Sequence, residues 1–245
     1  MIEKRERGAF LALNPFENGW SDGLFYREKM RAIHRIAPPS LPVGARILDI
    51  GGGRSRMAAM LYPAAEVVTL DIDPELAPID PVERARFVVG DARRLPFEDA
   101  SFDVVTMFDV LEHIEEDHAA AAEAMRVTKP GGWVLVSTPQ ADWHYPYYRA
   151  MQRVCPPERA LMDEWGHVRR GYEPERLTAL FGGPADRRAN FINPVTAFYH
   201  DVAFSRLGPR KRKLLYAAAA LPTWLAYVLQ SRSGRGTEMA CAWRR

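Results

Sequence analysis

"ILDIGGGRSRMA", residues 47–58, joins a run of aliphatic residues to three consecutive glycines. The aliphatic part is typical of a buried strand, and glycines directly after it let the backbone turn tightly and bring a ligand close to the main chain. In an open α/β sheet, ligands bind at the carboxyl ends of the strands. The stretch therefore predicts a strand that ends in a ligand-binding turn.

Further apolar runs predict more strands, and an alanine-rich helix over "EEDHAAAAEAMRV" separates two of them. Near-continuous apolar strands that alternate with helices indicate a parallel sheet covered on both faces. We therefore predict an α/β fold with a doubly wound, mostly parallel sheet. The predicted strands are residues 46–50, 66–72, 85–91, 101–109, 131–139 and 237–245.

The composition limits the classes of function. A net charge of +2 over 245 residues argues against a dedicated nucleic-acid-binding protein. The two cysteines, Cys155 and Cys241, provide neither a disulfide framework nor a CxxC metal motif, which favours a reducing cytoplasm. No other group of His, Cys, Asp or Glu has metal-ligand spacing, so the sequence predicts no metal site.

One apolar stretch, "LLYAAAALPTWLAYVL" at residues 214–229, follows the basic run Arg210 to Lys213. It is shorter than the roughly 20 apolar residues that a membrane span needs. Because Pro222 interrupts it, we predict a pair of buried or lid helices. The alternative is an interfacial segment, within residues 205–230, that contacts a membrane beside its basic residues.

Three acids follow three successive predicted strands. Asp71 can accept hydrogen bonds from both hydroxyls of a ribose, and Asp91 from the exocyclic amine of an adenine. Asp73 is an alternative for the ribose. Asp49 suits an ammonium rather than a pyrophosphate, and Arg56 stands where a dinucleotide fingerprint has its third glycine. The pattern predicts an adenosine ligand without phosphates.

The segments "ILDIGGG", "TLDIDPE", "VVGDARRLPFEDASFDVVTMFDVLEHI" and "KPGGWVLVSTP" resemble successive motifs of the class I S-adenosylmethionine-dependent methyltransferases, in the UbiE/UbiG-like small-molecule branch. The resemblance covers roughly residues 41–140, and Ser55 replaces a glycine that is usual there. It implies a Rossmann-like sheet of seven strands with an antiparallel last strand, and the cofactor S-adenosyl-L-methionine, released as S-adenosyl-L-homocysteine. The cofactor residues it implies are Asp49, Gly51 and Gly53 for the methionine part, Asp71 for the ribose, Asp91 for adenine, Ile72 and Ala92 lining the adenine, and Phe108 near the methionine end.

We expect a single methyltransferase domain in four parts. These are a helical N-terminal cap at 1–40, the cofactor-binding core at 41–140, a substrate and lid region at 141–235, and the last strand at 236–245. A helix is predicted at "FYREKMRAIHRIAPP" in the first part and another at "EPERLTALF" in the third, which is otherwise expected to be irregular.

Two histidines are the predicted base or acceptor contacts. His144 lies just past the fifth strand, and His167 lies in "HVRRGYEPERL", which resembles a segment that many of these enzymes place beside the acceptor. His113 is expected to cap or pack at a helix start. The aromatic residues Trp143, Tyr145, Tyr147 and Tyr148 are either a packed lid or a wall for the acceptor.

The sequence therefore predicts a cytoplasmic, S-adenosylmethionine-dependent methyltransferase that acts on a small molecule. O-methylation of a natural product, a glycosyl compound or a lipid-like compound is the leading hypothesis. N- or C-methylation, and a cofactor-binding partner subunit without catalysis, remain open. A nicotinamide-dependent oxidoreductase is disfavoured by Asp49 and by the missing third glycine.

Overall fold

A computed structural model describes residues 1–16, 23–53, 55–77, 85–231 and 233–245. Its centre is a seven-stranded sheet, and a two-stranded antiparallel ribbon, β1 and β2, lies at the N-terminal part of the chain. The strands are β1 (Ile2–Glu3), β2 (Ser40–Leu41), β3 (Arg46–Ile50), β4 (Glu66–Asp71), β5 (Ala85–Val89), β6 (Phe102–Phe108), β7 (Thr128–Pro139), β8 (Arg187–Phe191) and β9 (Glu238–Arg244).

The strand order of the large sheet is β5-β4-β3-β6-β7-β9-β8. All neighbours from β5 to β7 pair in parallel, whereas β9 runs antiparallel to both β7 and β8. The predicted α/β fold, with its mostly parallel sheet and antiparallel last strand, is confirmed. The strand order reverses between β3 and β6, so their carboxyl ends open a crevice that is the expected ligand site of such a sheet.

Successive residues of the central strands point to opposite faces of the sheet, and both faces are buried. Ile47 and Val104 pack with α2 and α3 on one face, whereas Leu48 and Val105 pack with α4 and α6 on the other. This two-sided burial explains why the strands read as continuous apolar runs. The helices are α1 (Arg7–Leu11), α2 (Gly23–Ile36), α3 (Met57–Leu61), α4 (Asp117–Val127), α5 (Glu158–Trp165), α6 (Pro174–Leu180), α7 (Ala197–Ala203) and α8 (Pro209–Leu229).

The region 140–235 is more regular than predicted. It contains four helices, α5 to α8, and the edge strand β8, which the sequence did not reveal. Only Ala189 and Phe191 of β8 are buried, while Arg187, Arg188 and Asn190 are polar and partly or fully exposed. A strand this short, with three polar residues in five, gives a weak hydrophobic signal because it is an edge strand covered on one side.

The prediction of a pair of buried or lid helices at 214–229 is wrong in two respects, because one helix spans the stretch and most of its residues are not buried. The helix α8 continues through Pro222, and its buried residues are only Tyr216 and Thr223. Pro222 and Ala218 both lie on the exposed side, where the carbonyl that loses its helical hydrogen bond to the proline can bind water instead. Tyr227 fastens the helix to α2, since its ring lies 4.0 Å from the guanidinium carbon of Arg31.

Candidate functional site

The glycine turn after β3 has the backbone that the sequence predicted. Gly51 and Gly53 have positive φ angles of 64° and 44°, a region that favours glycine. A Cβ atom on Gly51 would lie 2.5 Å from Cγ2 of Val110, which follows β6. The Gly51 amide donates a hydrogen bond of 2.7 Å to the carbonyl of Leu70, which ties the turn to the end of β4. The turn therefore has no room for a side chain at Gly51, because Val110 occupies the space that its Cβ would take.

A cavity of about 610 Å³ opens in the crevice at the strand ends. Five of the predicted cofactor residues line it together: Gly51, Asp71, Ile72, Asp91 and Ala92. The Ile72 side chain is apolar yet 69% exposed, so it offers a flat contact for a ligand ring. The cavity therefore has the mixed polar and apolar wall that an adenosine-type ligand needs.

Asp49, Gly53 and Phe108 lie outside the wall of this cavity. Asp49 is buried beneath the glycine turn, where the Thr106 hydroxyl donates to Oδ1 at 2.5 Å and Oδ2 has no hydrogen-bond partner. Burial raises the pKa of Asp49 to about 6. Asp49 is thus placed to support the turn from below and to attract a cationic group above it.

The two acids of the cavity wall have different partners. Asp71 Oδ1 accepts a hydrogen bond of 3.2 Å from the Asp73 amide, which fixes the orientation of its carboxylate. Both carboxylate oxygens of Asp91 accept hydrogen bonds from the Arg93 guanidinium, at 2.7–3.0 Å. The hydrogen bonds from Arg93 hold the pKa of Asp91 below its usual value. An adenine amine at Asp91 would share that carboxylate with Arg93.

A second cavity, of about 270 Å³, lies beside the first. Its walls come from α2, the turn after β6, the region after β7, α7 and the start of β9, and they are largely aromatic. The aromatic residues are Phe25, Tyr26, Trp143, Trp165, Phe191 and Phe204, and the polar ones are Lys29, Asp109, Glu112, His167, His200 and Glu238. The predicted aromatic wall is therefore present at Trp143, whereas Tyr145, Tyr147 and Tyr148 lie outside it.

Asp109 belongs to the walls of both cavities. It has a positive φ of 55°, an uncommon angle for a residue other than glycine, and such strain clusters at functional sites. The Lys29 ammonium forms an ion pair with Asp109 Oδ2, and the Ser137 hydroxyl donates to Oδ1 at 2.6 Å. Burial opposes charge on both partners, but their attraction outweighs it, so the pKa of Lys29 is raised and that of Asp109 is lowered.

Two further carboxyl groups, Glu112 and Glu238, face this ion pair in the second cavity. Burial, and then the negative charge of Asp109, raise the pKa of Glu238 to about 8 and place that of Glu112 well above its usual value. Sequence reasoning missed Lys29, Asp109, Glu112 and Glu238. Asp109 is the last residue of a predicted strand, a position that gave a signal, whereas Lys29 and Glu238 lie in a helix and a strand whose patterns indicate only packing.

The two predicted histidine bases lie in different surroundings. His167 lines the second cavity, and burial lowers its pKa to about 4, so it is neutral at pH 7. His144 is exposed and lies outside the walls of both cavities, with its ring nitrogens against the carbonyls of Asp142 and Tyr147 at 3.3 and 3.2 Å. His113, expected to be structural, lines the first cavity.

Comparison with known proteins identifies the core of the chain. Residues 48–136, which extend from within β3 to within β7, match the family described as "Methyltransferase domain". This match, together with relatives named as methyltransferases, confirms the resemblance to the class I S-adenosylmethionine-dependent methyltransferases that was seen in the sequence.

Two sequence relatives come from quinone metabolism. A 2-methyl-6-phytyl-1,4-hydroquinone methyltransferase from Synechocystis is 35% identical over 160 residues, which are 58% of this chain and 48% of that protein. A ubiquinone/menaquinone biosynthesis C-methyltransferase UbiE from Stutzerimonas stutzeri is 37% identical over 105 residues, or 38% and 41% of the two chains. The match thus covers less than half the length of each relative.

The fold has solved counterparts along almost the whole chain. The N-methyltransferase NodS from Bradyrhizobium japonicum, solved in complex with S-adenosyl-l-homocysteine, matches 98% of this chain and 96% of its own with a TM-score of 0.55. The two sequences are 13% identical, so this likeness concerns the fold alone.

Proposed function

We propose that this protein transfers a methyl group from S-adenosylmethionine to a hydroxylated small molecule held in the second cavity. The observation that carries the proposal is the position of Asp109, whose strained backbone and side chain form part of both cavity walls at the crevice between β3 and β6. Two adjoining cavities suit a reaction in which one ligand passes a group directly to another. Residues 41–140 supply the wall of the first cavity except Val168, and the caps at 1–40 and 141–235 supply most of the second.

The residues of the first cavity fit the cofactor. Gly51, a glycine in the cavity wall, suits a ligand that approaches the main chain, Asp71 suits the ribose hydroxyls, and Ile72 and Ala92 suit the adenine, with Asp91 at its amine. Asp49, beneath the turn, would attract the amino group of the methionine part. When bound, S-adenosylmethionine supplies an electrophilic methyl group on a positively charged sulfur.

The second cavity fits an aromatic acceptor that carries a hydroxyl group. Trp143, Trp165 and Phe204 offer ring surfaces. The pKa of the Glu238 carboxyl group, about 8, is close to neutral pH, so its ionised form can accept a proton from a phenol. We propose Glu238 as that base. His167, neutral at pH 7, is a second group in the same wall that could accept a proton. The base role predicted for His144 would require the residues around it to move.

Transfer to oxygen is the reaction that we propose first, because a base in the acceptor cavity serves a hydroxyl directly. A specific observation favours transfer to carbon as a second candidate: one relative is named as a C-methyltransferase of quinone biosynthesis. Removal of a proton from a hydroquinone hydroxyl makes its ring carbons more nucleophilic as well. Both products are therefore consistent with the same acceptor and the same base.

The proposal is tested by titrating the purified protein with S-adenosylmethionine and its demethylated product, followed by transfer assays with methyl-labelled cofactor. Simple catechols and hydroquinones serve as acceptors, and product NMR separates a methoxy group from a ring methyl. We expect micromolar binding of the adenosyl ligands, none of NADH, and label in an aromatic product. Binding without transfer to any hydroxylated acceptor would favour the non-catalytic partner subunit instead.

We further propose that the protein works in the cytoplasm and contacts membranes through residues 205–230. The outer face of α8 is exposed, and from Leu214 to Leu229 it is apolar. None of the described helices is both long and apolar enough to cross a bilayer. The exposed large apolar residues of α8 are Leu214, Leu221, Trp224, Leu225, Val228 and Leu229. A continuous apolar face of this kind marks an interaction surface.

The charges around α8 favour an anionic lipid surface as the partner. Arg210, Lys211 and Lys213 are exposed at its first turn, and the sequence has no Asp or Glu between Asp201 and Glu238. Vesicles of phosphatidylcholine with phosphatidylglycerol should sediment the full chain, and vesicles of phosphatidylcholine alone should bind it less. Leu221→Glu with Leu225→Glu should abolish sedimentation, while Arg159→Glu on α5 should not. Equal sedimentation of all variants, or none by wild type, would contradict the proposal.

A further inference from the structure

A compact group of metal-ligating side chains lies at the boundary of the two cavities. Glu112, His113 and His167 each place one ligand atom within 4.8 Å of those of the other two. The first two belong to a single turn of 3₁₀ helix at Leu111–His113, and His167 follows α5, so the group exists only in the folded chain. This explains why the sequence, in which ligand spacing was the only guide, predicted no metal site.

Two polar atoms of this group have no hydrogen-bond partner among the residues that the structure describes. Glu112 Oε1 and His167 Nδ1 are both buried without a hydrogen bond, and the Glu112 side chain is fully buried. An unpaired buried polar atom costs free energy, and so it calls for a partner that the protein itself does not supply. Two such atoms in one group point to a ligand that both of them can bind.

The surroundings of the group orient its ligands. Glu112 Oε2 accepts a hydrogen bond of 3.2 Å from the Thr138 hydroxyl, and His113 Nδ1 lies 3.2 Å from the carbonyl of Gly166. A carbonyl at one ring nitrogen is the usual way in which a metal-binding histidine is held. The rings of His113 and His167 meet edge to face with centroids 4.7 Å apart.

We propose that Glu112, His113 and His167 bind one divalent first-row transition-metal cation such as Zn²⁺. Two imidazoles and one carboxylate suit such a cation better than Mg²⁺ or Ca²⁺, which take oxygen ligands. Metal–ligand bonds of about 2.1 Å place ligand atoms roughly 3–4 Å apart, so the group closes on the ion by small side-chain movements. Three protein ligands leave at least one position open for another molecule.

The position of the cation suggests what occupies the open coordination site. His113 lines the first cavity, whereas Glu112 and His167 line the second, so the ion lies where the two ligands meet. The open position would take a hydroxyl oxygen of the acceptor and orient it. This last step rests on the proposed function, but the cation site itself does not.

The test uses the full chain after treatment with a chelator, titrated with Co²⁺ and followed by its visible absorption. We expect one Co²⁺ per chain, with bands typical of nitrogen ligation, and displacement by Zn²⁺. His113→Ala and His167→Ala should each weaken binding at least about tenfold, since even residues behind the ligands have effects of that size. His118→Ala, an exposed histidine on α4, is the matched control and should bind like wild type.

Circular dichroism checks that the variants are folded, so that a loss of Co²⁺ binding is not caused by misfolding. Both variants are expected to fold, because His113 and His167 are not fully buried. No Co²⁺ bands in wild type, or equal bands in the His113→Ala, His167→Ala double variant, would overturn the site. Cofactor titration of the same samples separates the two proposals. Cofactor binding without Co²⁺ binding would contradict the proposed cation site alone. Co²⁺ binding without cofactor binding would support the cation site and contradict the proposed reaction.

Discussion

The two cavities that meet at Asp109 are built in different ways. The wall of the first cavity, the proposed cofactor cavity, comes mainly from short turns that directly follow consecutive strands, from Gly51 to Ala92 and from Asp109 onward. The wall of the second cavity, the proposed acceptor cavity, joins Phe25 of α2 to Glu238 of β9, from opposite ends of the chain. Parallel strands bring their own ends together, so the first cavity follows from local sequence, whereas the second requires the complete tertiary structure.

The difference also concerns the groups that each wall presents. The cofactor wall places glycine backbone and oriented carboxylates around a ligand of fixed chemistry. The acceptor wall combines aromatic rings with a buried network of Lys29, Asp109, Glu112 and Glu238, whose charges depend on one another. Single substitutions in the wall of the first cavity should therefore weaken cofactor binding one residue at a time. Substitutions in the wall of the second cavity should lower turnover before they affect cofactor binding.

The largest effect is expected at the glycine turn. Gly51→Ala should abolish measurable cofactor binding, because its Cβ would lie 2.5 Å from Val110 Cγ2 in a backbone with positive φ. Gly44→Ala is the matched control, since Gly44 has a φ of 73° but no atom within 4 Å of its Cβ position. Calorimetric titration with S-adenosylhomocysteine compares them. Similar losses in both variants would assign the effect to backbone strain instead of the close approach.

The next largest effect separates the acceptor wall from the cofactor wall. Glu238→Gln keeps the shape of the side chain but removes the proposed base, and turnover should fall by about 100-fold or more. Cofactor affinity should stay within about twofold of wild type, because Glu238 lies outside the cofactor cavity. Steady-state kinetics and calorimetry measure the two quantities. Wild-type turnover would exclude Glu238 as the base.

A smaller effect distinguishes two neighbouring acids. Asp71→Asn should weaken cofactor binding roughly 10- to 100-fold, the usual loss when a charged hydrogen-bond acceptor is neutralised. Asp73→Asn should change affinity little, because Asp73 Oδ1 instead accepts from the Glu75 amide at 2.9 Å and lies outside the cavity wall. If Asp73→Asn had the larger effect on calorimetric affinity, the ribose would have to be reassigned to it.

A separate effect, which does not involve ligand binding, concerns stability. Burial among aromatic rings lowers the pKa of His200 to about 4, so the folded chain keeps it neutral while the unfolded chain protonates it near pH 6.5. The free energy of unfolding should therefore fall as the pH drops from about 6.5 to about 4, by up to about 3 kcal/mol from this residue. Urea unfolding at pH 7 and pH 4.5 measures the loss. His200→Phe should reduce it without removing it, because His167 shifts in the same direction.

An equal pH effect in wild type and His200→Phe would contradict that account. His118→Phe, at an exposed position on α4, is the control for loss of a histidine without burial. The acid sensitivity of this variant should match that of wild type.

The sequence predicted the parts of the molecule in which one strand and the turn after it carry the information. Six strands of the large sheet and the cavity residues Gly51, Asp71, Ile72, Asp91 and Ala92 fall in this group. Their signals are apolar runs, and those of β3 to β6 end in or directly before a glycine or an acid. These features can be recognised from neighbouring residues, without knowing which distant segments of the chain pack together.

The parts that escaped prediction depend on which surfaces pack together. The amphipathic pattern of α2 indicates a packed helix, but it does not show that Lys29 reaches Asp109. His144 and His167 look equally suitable in the sequence, yet only His167 faces a cavity. For α8, an apolar sequence suggested burial, whereas its outer face is exposed because the helix has a neighbour on one side only.

The place of β9 in the sheet has a consequence for the order of folding. This strand follows all the other strands of the sheet in the chain, yet it lies between β7 and β8 and carries Glu238 at its start. During synthesis on the ribosome, β8 emerges before the strand that connects it to the sheet, so it has no neighbour with which to pair. The wall of the second cavity therefore closes only after the ribosome has released this strand, and a nascent chain that already presents the glycine turn lacks part of that wall until then.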